Sequence, residues 1–167
     1  MNTIPFNRPK FQGNELEYLK QAIDNGHISG DGYFTKKCSS LLESELDVKK
    51  VLLTTSCTHA LEMAAILLDI QPKDEIIVPS FTFVSTVNAF ILQGAKPVFI
   101  DIRPDTLNLD DNQLEHLITE KTKAIVPVHY AGVGCEMDNI IMTADKHGIE
   151  VVEDNAHGLF GKYKNKQ

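Results

Sequence analysis

The residues best suited to chemistry lie in the segment VVEDNAHG, residues 151–158. Two β-branched residues lead to Glu153 and Asp154, and His157 follows three positions after the aspartate. A carboxylate at the end of an apolar strand is costly to bury unless a cation balances its charge. For Asp154 the sequence leaves three kinds of cation open: a basic side chain of this protein, a metal ion, or a protonated ring nitrogen of a ligand.

A second group of polar side chains lies in TTSCTHALEMAA, where hydroxyl residues run directly into a predicted helix. The N–H groups at a helix N-terminus bind anions, and the hydroxyls of Ser56 and Thr58 can add hydrogen bonds to a phosphate. The same residues also fit ordinary N-capping. The chain has no dinucleotide fingerprint and no P-loop motif, so a single phosphate is the expected anion.

Other candidates follow three further predicted strands. Phe83, in PSFTFVST, is placed to stack on a flat ring, and Phe81 either does the same or packs under the loop. Core packing is the alternative for both aromatic rings. Asp101, in FIDIRPDT, is either a ligand or a turn carboxylate. His129 and Tyr130, in VHYAG, are candidates of lower priority, because a histidine at a strand end often only satisfies local hydrogen bonds.

The elements that position these residues form a regular pattern from Lys50 onward. Five short apolar runs predict strands, namely VLLTT, EIIVPS, PVFIDI, AIVPVHY and EVVEDNA. Amphipathic segments between them predict helices over residues 59–69, 83–93, 110–120 and 137–147. Such alternation is typical of βα units, and strands without polar alternation indicate a parallel sheet covered on both faces. The predicted fold class is α/β, a mostly parallel sheet with ligands beyond the carboxyl ends of its strands.

The first residues of the chain differ from this pattern. They predict a helix over residues 14–25, a glycine-rich loop in GHISGDGYFT and a second helix that carries Cys38, Leu41 and Leu42 at helical spacing. We therefore divide the chain into an N-terminal helical segment, residues 1–49, and a βα-repeat region, residues 50–167.

Composition narrows the possible partners. The formal net charge is −7 and no lysine- or arginine-rich run is present, so nucleic acid is not an expected partner. No apolar run approaches the roughly 20 residues of a membrane helix, and the start lacks a signal-peptide core, so we expect a cytoplasmic protein. The three cysteines lie far apart and are predicted to be free thiols, with neither a disulfide nor a zinc site: Cys38, Cys57 and Cys135.

In order and spacing, these motifs resemble the DegT/DnrJ/EryC1/StrS family of pyridoxal phosphate-dependent nucleotide-sugar aminotransferases. The resemblance rests on the hydroxyl-rich helix start, PSFTFVST, VPVHYAG and VVEDNAH, and it extends to IPFNRP and GDGYFT. It implies the N-terminal part of the large domain of the type I aminotransferase fold. The chain is most similar to transaminases that make TDP-4-amino-4,6-dideoxy-D-galactose from TDP-4-oxo-6-deoxy-D-glucose with glutamate, for surface polysaccharides such as O-antigen, lipopolysaccharide and enterobacterial common antigen.

The resemblance also implies a role for each candidate residue. Asp154 would pair with the pyridinium nitrogen of the cofactor, and His157 would contact the oxygen on its ring. These two are the implied catalytic residues. Phe83 matches the aromatic ring that stacks on the cofactor. The residues that match the phosphate-binding turn are Ser56, Cys57 and Thr58, and the resemblance implies no metal.

One residue of the family pattern has no match in this chain. The catalytic lysine, which forms a Schiff base with the cofactor, lies well beyond the strand that carries the aspartate. Lys162, Lys164 and Lys166 follow Asp154 too closely to take that role. The resemblance therefore implies a chain truncated before the lysine, without the small C-terminal domain and inactive alone.

The resemblance further implies a homodimer whose active sites are shared across the interface. Two alternatives remain open at this point. One is a non-catalytic remnant that binds a nucleotide sugar or a partner chain. The other is a signalling receiver domain with Asp101 at its third strand, although a receiver requires an acidic pair where this chain has TTS.

Overall fold

The computed structural model describes residues 4–5 and 8–164. The chain divides into two compact units, Met1–Leu53 and Thr54–Gln167. No helix in the described part of the chain is both long and apolar enough to cross a membrane.

The first unit contains two helices, α1 (Glu15–Asp24) and α2 (Tyr33–Glu45), as the sequence predicts. Helix α2 begins after Gly32, whose backbone is extended. Beyond α2, the backbone N–H of Val51 donates to the carboxylate of Glu43 at 3.0 Å. This bond lowers the pKa of Glu43 and holds the segment after the helix against it.

The second unit is built on a parallel sheet of four strands in the order β2-β1-β3-β4. The strands are β1 (Glu75–Pro79), β2 (Lys96–Ile100), β3 (Thr122–Ile125) and β4 (Glu150–Val151). All five residues of β1 are buried, because it lies between two neighbouring strands and both of its faces are covered. The predicted parallel sheet is confirmed.

Helices cover both faces of this sheet. They are α3 (Cys57–Leu67), α4 (Val84–Ile91), the single turn α5 (Leu114–Leu117) and α6 (Met137–His147). Alternate residues of the buried strands point to opposite faces. One core cluster joins the sheet to α3 and α4 through Leu61, Ala65, Ile76, Val78, Phe90 and Val126. The opposite cluster joins it to α5 and α6 through Ile77, Leu114, Ile125, Ile140 and Ala144.

Two sequence predictions about these elements are wrong. VLLTT is not a strand, and Leu52 and Leu53 are 56% and 45% exposed, since an apolar run forms a strand only where a neighbouring strand meets its backbone groups. Of the helix predicted over residues 110–120, the structure forms a short 3₁₀ turn, Asp111–Gln113, followed by the single turn α5. Side-chain bonds of Thr119 to Glu75, and of Thr122 to the backbone of Thr119, replace the helix beyond that point.

Candidate active site

Three strand ends and the starts of two helices, α3 and α4, converge at the carboxyl edge of the sheet. Beyond β3 and β4, Val128 pairs with Asp154 as a parallel bridge. The backbone N–H of His129 donates to the carbonyl of Asp154 at 3.1 Å, and the N–H of Asp154 donates to the carbonyl of Pro127 at 2.9 Å. These bonds fix the backbone of Asp154 on both sides, so the aspartate has a defined position at the edge where ligands bind.

The side chain of Asp154 is buried, and from the described residues it accepts hydrogen bonds only from neutral groups. The hydroxyl of Thr86 donates to Oδ2 at 2.7 Å, the thiol of Cys57 to Oδ1 at 3.6 Å, and the N–H of Ala156 to Oδ1 at 3.3 Å. Within residues 4–5 and 8–164, no lysine, arginine or histidine forms an ion pair with this carboxylate. The local basic partner allowed by the sequence is therefore not found in the described chain.

Aromatic side chains surround the space beside this carboxylate. A cavity of about 230 Å³ is lined by Asp154, Phe81, Phe83, Tyr130 and His157, among others. The rings of Phe81 and Tyr130 are 4.8 Å apart at their centroids, and Tyr130 meets His157 edge to face at 6.2 Å. The ring of Phe83 is 73% exposed, so it has no core role and is free to contact a ligand. Five of the predicted residues thus share one cavity with Asp154, since His129 also lines it.

The start of α3 lies against the same carboxylate through Cys57. Ser56 is the N-cap, and its hydroxyl accepts the N–H of His59 at 3.2 Å. The N-capping interpretation is therefore correct, although the hydroxyl hydrogen of Ser56 stays available. The backbone N–H groups of Cys57 and Thr58 have no acceptor in the described part of the chain, and such groups attract anions.

The thiol of Cys57 departs from the expected role. It points to Asp154, and burial, together with the negative charge and hydrogen bond of that carboxylate, raises its pKa. Only the backbone of Cys57 is left to serve the predicted phosphate turn.

His129 and Asp101 differ in their relation to the site. Nδ1 of His129 accepts the N–H of Cys135 at 3.1 Å, so the neutral ring carries its hydrogen on Nε2 and donates it to Glu153 at 2.7 Å. His129 also lines the cavity. Asp101 lies outside it, and its carboxylate accepts the N–H of Ile102 at 2.8 Å, as a turn carboxylate does.

Sequence reasoning missed Thr86, which is fully buried and makes the shortest hydrogen bond to Asp154. A signal was present, because Thr82 and Thr86 are four residues apart and therefore lie on one side of the α4 start. Their hydroxyl oxygens are 2.9 Å apart. The spacing does not identify the group to which Thr86 donates, Asp154, which lies 68 residues further along the chain.

The family model of the DegT/DnrJ/EryC1/StrS aminotransferases matches residues 9–167. The chain belongs to this family. GDP-perosamine synthase from Caulobacter vibrioides is 38% identical to it over 159 residues, which are 95% of this chain and 43% of that protein. The family predicted from the four motifs is confirmed, and the receiver-domain alternative is wrong.

Solved structures agree with this assignment. An aminotransferase from Psychrobacter cryohalolentis matches with a TM-score of 0.91 and 32% identity, over 98% of this chain and 42% of its own. Spr1654 from Streptococcus pneumoniae, solved in its PLP-form, matches with a TM-score of 0.89 and 31% identity, over 99% of this chain and 46% of its own. The predicted aminotransferase fold is confirmed, and the chain spans less than half the length of these relatives.

Proposed function

We propose that this chain carries the cofactor-binding part of a pyridoxal phosphate-dependent sugar-nucleotide aminotransferase. The observation that carries the proposal is the carboxylate of Asp154, which is buried at an aromatic cavity and, among the described residues, bound only by neutral donors. Such a carboxylate favours a positively charged ligand group beside it. A protonated ring nitrogen meets that need, and the exposed ring of Phe83 and the open N–H groups of α3 suit a flat, phosphorylated molecule.

Each residue of the site then has a distinct task. Asp154 would keep the ring nitrogen protonated, and His157, set by its edge-to-face contact with Tyr130, would bind the oxygen on the ring. Phe83 would contact the face of the ring, and the start of α3 would hold the phosphate. Bound pyridoxal phosphate supplies an electron sink for amino-group transfer, which depends on the protonated nitrogen.

For the whole reaction, we propose transfer of an amino group from glutamate to the keto carbon of a TDP-4-oxo-6-deoxyhexose, in the synthesis of surface polysaccharide. Similarity to the TDP-sugar transaminases supports this substrate. The name of the Caulobacter relative, which refers to a GDP sugar, supports the same chemistry on a different nucleotide. No lysine of this chain is given the Schiff-base role, so we propose that the chain alone does not complete the transfer.

Titration with pyridoxamine 5′-phosphate tests the cofactor site, because this amine binds without a lysine. We expect saturable binding with one molecule per chain, and weaker binding of pyridoxamine, which lacks the phosphate. Asp154→Asn should weaken binding, whereas Asp101→Asn, which removes an exposed turn carboxylate outside the cavity, should not. Equal affinity of the Asp154 and Asp101 variants would contradict the assignment.

The transfer itself is tested with the gene product that carries this sequence. With glutamate as donor, we expect amination of TDP-4-oxo-6-deoxy-D-glucose to exceed that of the GDP-linked 4-keto sugar. The reverse preference would exclude the TDP sugar but not the aminotransferase. Binding of a nucleotide sugar without any affinity for pyridoxamine 5′-phosphate would instead favour the non-catalytic remnant.

A further inference from the structure

Thr86 and Asp154 form the most buried polar contact of the site. Thr86 has no exposed surface and Asp154 is 5% exposed, and their oxygens are 2.7 Å apart. A buried carboxylate needs donors that replace the water it has lost. Of the three donors to Asp154, the hydroxyl of Thr86 makes the shortest bond, and it alone reaches Oδ2.

The direction of the hydrogen bonds follows from the chemistry of the groups. An ionised carboxylate only accepts, so the hydrogen of the Thr86 hydroxyl must point to Asp154. The 2.9 Å contact between the hydroxyls of Thr82 and Thr86 then requires Thr82 to be the donor. The result is a directed chain from Thr82 to Thr86 to Asp154, in which each bond polarises the next.

The two oxygens of Asp154 are therefore held unequally. Oδ2 has the short bond from Thr86, whereas Oδ1 has a thiol, which is a weak donor, and a longer bond from the N–H of Ala156. Thr86 thus sets the rotation of the carboxylate. Because both threonines are neutral, they hold the carboxylate and leave its negative charge in place. A lysine or arginine in the same position would cancel that charge.

We propose that Thr86, supported by Thr82, is a positioning residue that holds the carboxylate of Asp154 oriented toward the ring nitrogen of the cofactor. The proposal rests on the proposed function of Asp154. Without the Thr86 hydroxyl, Oδ2 loses its short hydrogen bond, and the carboxylate is free to rotate away from the ring nitrogen. A ring nitrogen bound beside the displaced carboxylate would lack its anionic partner and would hold its proton less firmly.

The test measures the protonation of the ring nitrogen directly, by ¹⁵N NMR of ring-labelled pyridoxamine 5′-phosphate bound to the chain at neutral pH. In the parent we expect a protonated ring nitrogen. Thr86→Val, which keeps the shape but removes the hydroxyl, should move the resonance toward the unprotonated position, whereas Thr86→Ser should restore it. Loss of a hydrogen bond to a charged group, about 1.5–3 kcal/mol, corresponds to a change of about tenfold or more in the ratio of protonated to unprotonated ring.

The Asp154→Asn variant distinguishes the proposed role of Asp154 from that of Thr86. If this variant leaves the resonance as in the parent, or if the parent ring is itself unprotonated, the assignment of Asp154 fails. If Asp154→Asn makes the ring neutral but Thr86→Val binds a protonated ring, only the role of Thr86 is overturned. Circular dichroism verifies folding, and Thr86→Ala, which lacks the hydroxyl and has less volume, replaces the valine variant if that one does not fold.

Discussion

The thiol of Cys57 lies 3.6 Å from Oδ1 of Asp154, although 97 residues separate the two in the chain. This contact brings the first residue of α3 against the chain that follows β4, so the helix start proposed for the phosphate and the carboxylate proposed for the ring nitrogen are adjacent. It also leaves the thiol with an unusual environment for a residue at a helix N-terminus, where thiol pKa values are normally lowered.

We predict that Cys57 reacts slowly with iodoacetamide. Burial, and then the charge and hydrogen bond of Asp154, raise the pKa of its thiol, so less thiolate is present near pH 8. Asp154→Asn removes the charge but not the desolvation of the thiol, so alkylation of Cys57 should accelerate, and Cys38, which is exposed as Cys57 is, serves as the internal reference for the rate. Mass spectrometry of labelled peptides measures both rates, with Asp101→Asn as the control. An unchanged Cys57 rate in Asp154→Asn would show that the two groups do not interact.

We predict that replacing His129 by asparagine lowers the free energy of unfolding less than replacing it by glutamine. The amide oxygen of asparagine takes the place of Nδ1 and still accepts the N–H of Cys135, whereas glutamine reaches toward Glu153 and leaves that buried N–H unpaired. An unsatisfied buried donor costs about 1–3 kcal/mol. Urea unfolding of both variants gives this difference. Equal free energies of unfolding for the two variants would show that the bond to Cys135 contributes little to stability.

The turn that carries His157 should depend on Gly132. Its φ is +81°, and a Cβ added there would lie 3.1 Å from the backbone oxygen of His157. A left-handed backbone costs a residue with a side chain about 1–2 kcal/mol, and the contact adds to that. Gly132→Ala should therefore lower the free energy of unfolding and weaken binding of pyridoxamine 5′-phosphate. Gly134→Ala is the matched control, since its Cβ would meet only Tyr163 at ordinary contact distance, and equal effects of the two changes would contradict the prediction.

How far the sequence predicts this structure depends on the range of the interaction. The buried strand β1 and the position of Asp154 after an apolar run follow from local composition, because continuous apolar residues require cover on both faces. The bond from Thr86 does not follow, since the partner of a hydroxyl depends on how distant segments meet. For the same reason Leu52 and Leu53 mislead, because their apolar character signals burial without specifying a partner strand.

Lys164 offers a final test of whether any lysine of this chain takes the Schiff-base role. Its ammonium group donates to Asp138 at 2.5 Å and lies 4.9 Å from the centre of the Tyr163 ring, and these contacts raise its pKa. A protonated amine has no lone pair with which to attack an aldehyde.

We therefore predict that borohydride reduction in the presence of pyridoxal 5′-phosphate fully modifies no single lysine of this chain. Lys162 lines a neighbouring cavity, which shares His129 with the cavity beside Asp154 but does not include Asp154, and Lys166 lies outside the described residues. Peptide mass mapping measures the adducts, and Asp138→Asn is the informative variant, because loss of its charge should lower the pKa of Lys164 and increase its slow, nonspecific labelling. A single, fully modified lysine in the parent chain, competed by pyridoxamine 5′-phosphate, would show that the Schiff-base residue lies within these 167 residues after all.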